Sequence, residues 1–150
     1  MLNDDILMRQ IRKLVDGLLR YAALLKEGAY TVVLEETDDL LGKMLGLRTS
    51  LAERMTYETL QMALSSSSTP SLERTLLCGA LLAVRADAHR AAGAVHMQAH
   101  LVDIVRQLHA EGEALLQQTL ARLDPELPST QQLKAESETM LARMLDATAH

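Results

Sequence analysis

The chain contains no Trp and no Phe, and its only aromatic residues are Tyr21, Tyr30 and Tyr57. A β-sandwich or barrel draws on aromatic and β-branched residues in short alternating runs, so this composition disfavours both. Basic residues are also short: 15 against 20 acidic, a net charge of -5. A nucleic-acid surface needs a basic stripe to replace counterions and flat side chains for bases to stack on. Neither is present, and no nucleic-acid partner is expected. A single cysteine, Cys78, excludes an internal disulfide and a CxxC metal or redox motif. No apolar run approaches the roughly 20 residues that span a bilayer. The start, Met1-Leu2-Asn3-Asp4-Asp5, is acidic where an export signal is basic. The expectation is a cytoplasmic protein with no membrane partner. Phosphate-binding GxxxxGK, GxSxG, His-Glu-x-x-His and Glu-x-x-His motifs are all missing. No catalytic residue and no cofactor are therefore assigned.

What is present is Leu, Ala and Met at helical spacing, with 48% of the residues apolar. Leu7, Ile11, Leu14, Leu18, Tyr21 or Ala22, and Leu25 form one stripe, predicting a helix from about 4 to 27 that Gly28 ends. A second helix starts at Tyr30 or Thr31 and closes at Gly46. Its acidic cluster, Glu35 to Asp39, falls on the solvent side, with Asp39 and Lys43 as an i,i+4 pair. Ser50 and Glu53 form a capping box for a short helix, and Thr56 caps a further piece. Ser65 to Thr69 reads as a flexible loop. Thr69 as N-cap and Pro70 at the first position open a helix that is apolar nearly all round and ends at Gly93. It is the expected central post. A long pattern from Leu101 to Leu123 follows, with Gly112 as a possible kink or break. Asp124 to Pro128 stops it, and a capping box at Ser129 starts the last helix. Residues 113–150 either cap this domain or reach a second chain. The expected fold is all-α: one domain over 1–150, an antiparallel array of five to six helices.

The segment Asn3-Asp4-Asp5-Ile6-Leu7-Met8-Arg9-Gln10-Ile11 resembles the N-terminal signature of a family of small uncharacterised bacterial helical proteins. Leu45-Gly46-Leu47 matches the end of that family's second helix. The stretch from Leu72, turning at Ala92-Gly93, is similar to its single degenerate tetratricopeptide-like (TPR-like) helix pair. Ala86-Asp87 stands where the family has Gly-Asp. The aromatic that such a pair carries near His89 is absent, and the small residue near Ala99 matches only with a shift of one. The resemblance implies a helical-repeat-like fold and no assigned chemistry. Helical repeats bind protein segments in a concave groove.

Three sets of residues are candidates for a site. His96, His100 and Asp103 share one helix face at ligand spacing, a surface metal site in outline with no fourth ligand. Asp87 falls within the apolar stripe of the central helix and needs a cation, for which Arg90, Arg9 and Arg12 are candidates. It is either a structural pair or the hook of a small-molecule pocket. Ile6, Gly17 and Leu24 lie together on a flank of the first helix, an apolar ridge for a homodimer or another protein. Gly17, Gly42 and Gly79 are expected at close helix approaches. Met44, Met62, Met140 and Met144 are expected to fill core. Cys78 is expected to be buried and inert. The leading expectation is a non-enzymatic interaction or self-association module. The alternative is a small-molecule or metal-binding bundle.

Overall fold

In the computed structural model, which describes residues 2–45, 54–64 and 71–149, six helices follow one another. They are α1 (Leu2–Lys26), α2 (Tyr30–Leu45), α3 (Tyr57–Leu64), α4 (Leu72–Ala91), α5 (Val95–Leu120) and α6 (Pro128–Thr148). Side chains at 2–8, 10, 11, 14, 44, 45 and 63 lie outside the description. No strand occurs among the described residues, so the all-α class holds. Gly46, the Ser50 capping box and the Ser65–Thr69 loop fall outside the described residues.

Two glycines set the tight turns. Gly28 and Gly93 both take φ of +81°, the left-handed conformation that side chains disfavour. At each, the following N–H reaches back five residues: Ala29 to Leu24 at 2.8 Å and Ala94 to His89 at 2.8 Å. That bond caps the helix just ended and reverses the chain. α2 therefore runs back along α1, and Arg20 forks onto Glu36, its Nη2 donating to Oε1 at 2.7 Å. The Arg20 guanidinium holds the Glu36 carboxyl below its usual range. α5 runs back along α4 in the same way.

The other helix starts show what local sequence leaves open. α3 is capped by Thr56 as expected, its Oγ1 accepting from Thr59 N at 3.3 Å. α4 is capped by Ser71, whose Oγ accepts from Arg74 N at 3.4 Å, and not by Thr69. Ser68, Thr69 and Ser71 are all residue types that cap helices, and the one next to the apolar run takes the position. α6 starts at Pro128 with Leu127 as N-cap and no side-chain cap, so the Ser129 box does not form. Pro128 sets the first helical φ and needs no N–H, which makes the cap dispensable.

α4 is the central post. Helices α1, α2, α5 and α6 all contact it, and Leu76, Leu77, Cys78, Ala80, Leu81, Leu82, Ala83 and Val84 are fully buried. α6 lies against both α4 and α5. The stretch after 113 therefore caps its own chain. The close approach on this post is made by glycine. A Cβ on Gly79 would meet Met144 Sδ and Cε at 2.6 Å and Leu108 Cβ at 3.4 Å. Gly112 does not end α5, which is helical from Val95 to Leu120. A Cβ there would lie 3.1 Å from Leu76 Cδ2 and 3.4 Å from Leu141 Cδ2, so it too is a contact glycine. Gly17 is not: a Cβ there meets the Tyr21 ring of its own helix, at 3.6 Å. Gly42 is exposed. Met140 and Met144 fill core. Met62 does not, at 76% exposed, because the short α3 buries one narrow face. The side chain of Met44 lies outside the description.

Two outcomes follow. Gly112→Val overpacks the α4–α5–α6 contact and lowers stability by about 1–3 kcal/mol in a denaturant titration, whereas Gly17→Ala raises it by about 0.5–1 kcal/mol. Burial pushes the Cys78 thiol from its ordinary 9.0 up to about 12. The unfolded chain ionises first, so stability falls as pH rises from about 9 toward about 12. Cys78→Ala flattens that slope in thermal melts across the range.

Candidate functional site

The Arg12–Glu136 pair, 3.5 Å apart, begins a line of approach between α1 and α6. Past Arg12 an open groove of about 1030 Å³ lies between α1, α4 and α6. Its apolar floor comes from Val15, Leu18, Ala22 and Leu25 of α1, Ala91 of α4 and Ala142 of α6. This size lies at the upper end of ligand pockets and suits a protein side-chain ridge equally.

Asp87 lines this groove. It is half-buried, and its cation comes from the far end of the chain: Arg143 Nη2 donates to Asp87 Oδ2 at 2.5 Å. Arg90, Arg9 and Arg12 do not fill that role. Arg90 sits on the groove rim and Arg12 is engaged with Glu136. The pair is largely shielded, with side-chain exposures of 17% and 14%. It links α4 to α6 across 56 residues, a separation at which no local pattern points to the partner.

The mouth of the groove carries Leu19, which is 82% exposed. Around it stand Asp16, Lys26, Arg90 and Asp146, which have no ion pair among the described residues. Leu19 escaped the sequence reading because the stripe of Leu18, Tyr21 and Leu25 already accounts for the core side of α1. Of the ridge expected at Ile6, Gly17 and Leu24, Leu24 packs half-buried against the core, Gly17 is half-exposed, and the Ile6 side chain lies outside the description. Among the described residues the large apolar side chain that α1 turns outward is Leu19.

The histidine face does not assemble a site. His96 and Asp103 are exposed, Asp103 leans on Arg106 at 3.6 Å, and His100 turns Nε2 inward, where it is buried. No group of three His, Cys, Asp or Glu side chains able to hold a metal occurs among the described residues.

Two further polar contacts were missed by sequence reasoning. Arg85 is buried, 6% exposed, and its Nη1 donates to Leu34 O at 2.6 Å and Thr37 Oγ1 at 2.9 Å. It fastens α2 to α4. Tyr57 donates to Glu111, which also accepts from Gln61 Nε2 at 3.0 Å, fastening α3 to α5. Burial and the Glu111 carboxylate push the Tyr57 phenol far above its ordinary range. Both sets act as braces between helices.

Among the described residues no helix is long and apolar enough to cross a membrane. Compared with known proteins, the chain matches no family model, no curated protein and no solved structure. The geometry of the groove therefore carries the functional argument.

Asp87→Asn removes the counter-charge from a shielded guanidinium and lowers stability by about 1–3 kcal/mol. Arg143→Met costs a similar amount. The double variant loses less than the sum, which a double-mutant cycle by urea unfolding measures.

Proposed function

We propose that this chain is a non-enzymatic interaction module whose contact surface is the outer face of α1 with the groove between α1, α4 and α6. The observation that carries the reading is Leu19, 82% exposed at the mouth of an apolar groove. What supports the reading is continuity: the Leu19 side chain adjoins the apolar lining of the groove, and a contiguous apolar patch suits a protein contact surface. In this reading α4 and α5 are the tetratricopeptide-like pair of the resembled family. The groove is then the concave surface such folds offer to protein segments. A free, buried Cys78 suits a reducing, cytoplasmic setting.

A second reading has one observation in its favour. Asp87 lines a cavity of ligand size, as a small-molecule pocket around that residue requires. Under it, Asp87→Asn abolishes binding of a fluorescent apolar probe while leaving stability intact. The pairing with Arg143 favours the structural role.

Panning a display library of amphipathic helices on the intact chain tests the main reading. Selected helices bind, and Leu19→Lys weakens them by about tenfold or more with no change in melting temperature, the position being exposed. A chain that neither selects a helix nor self-associates overturns it, as do binders indifferent to Leu19→Lys.

A further inference from the structure

On the outward side of α1, Asp16, Leu19, Ala23 and Lys26 are all exposed. They follow one another at steps of three, four and three, the spacing of a seam between two packed helices. The order of side chains along that seam is self-complementary. Asp16 and Lys26 stand at equal distances from the middle of the seam, and so do Leu19 and Ala23. The two charges lie about 15 Å apart along the axis. Neither has an ion-pair partner among the described residues, whereas the flanking arginines are committed, Arg20 to Glu36 and Arg12 to Glu136.

We propose that the occupant of this face is a second copy of the same chain, with the two α1 helices antiparallel about a two-fold axis at the level of Tyr21. This rests on reading the outer face of α1 and its groove as a contact surface, and it names the partner. In that register Asp16 of each copy meets Lys26 of the other, and each Leu19 is set over the small Ala23 of its mate. A two-fold contact requires such a pattern, because residue i facing j implies that j faces i. A parallel pairing would set Asp16 against Asp16 and Lys26 against Lys26. Charge order thus selects the direction, and the Leu–Ala alternation fixes the register. The exposure of Leu19 and the lack of partners for two charges in one stripe then have a single cause.

Sedimentation equilibrium of the full chain from low to high micromolar concentration tests this. The wild-type chain sediments as a dimer. Asp16→Lys and Lys26→Asp each weaken the dimer about tenfold, since symmetry places every reversed charge at two contacts. The double variant returns close to wild type, because the seam is again complementary. Added salt narrows all these differences. A dimer unaffected by either reversal overturns the proposed seam. A monomer at every concentration overturns the second copy. If that monomer still takes selected helices in a Leu19-dependent way, the contact-surface reading survives; if it takes none, both fall.

Discussion

The structure depends on one constraint: α4 is buried without a break from Thr75 to Ala86. A helix buried on most sides drives folding through apolar area, but each polar group on it must then find a partner from another helix. Two charged side chains in its second half, Arg85 and Asp87, meet that demand in different ways. Arg85 reaches α2 and bonds a backbone carbonyl and a threonine hydroxyl. Asp87 waits for Arg143 from the last helix. Polar contacts thus tie particular helices to the second half of the post, while burial of Leu and Ala supplies most of the stability.

The same constraint explains where glycine is used. Gly79 and Gly112 lie on helices that cannot move apart without opening voids in the core. Met144 fills what the missing side chain of Gly79 leaves, its flexible thioether suiting an irregular space. Shape at this junction is set by absence on one helix and a long side chain on another. The outer surface of α1 is free of these demands, and there the sequence carries a large apolar residue among charges. The crowded interior junction contrasts with the open Leu19.

How much was legible depended on the range of the interaction. Gly28 and Gly93 were readable as helix ends because a chain reversal at positive φ has few solutions. The all-round apolar character of α4 and the outward placement of Glu35 and Asp39 followed from helical period alone; the latter pairs with Lys43 at 2.9 Å. Ser71 was missed because several neighbouring residues are equally good caps, and only tertiary placement decides among them. Gly112 was read through its intrinsic cost to a helix, which here is outweighed by the contact that it permits. The partners of Asp87 and Arg85 were out of reach. A cation 56 residues away and a main-chain carbonyl on another helix leave no mark in local pattern. The groove was foreseen only as a cavity near Asp87, and its exposed residue, Leu19, lay one position beyond a stripe that already satisfied the core.

The two glycine turns have a consequence for how the molecule comes apart. α1 and α2 form one hairpin, which packs on α4 more than its two helices pack on each other, and α4, α5 and α6 form the more densely joined unit. Among the described residues, polar fasteners between the two include Arg85 to α2 and Arg12 of α1 to Glu136. Cooperative units of this kind open at different free energies. The hairpin of α1 and α2 is therefore the part suited to open first, exposing its amides to exchange with solvent while the three-helix unit stays closed. The face that carries Leu19 then belongs to the least protected layer of the protein, and whatever covers that face would also slow its opening.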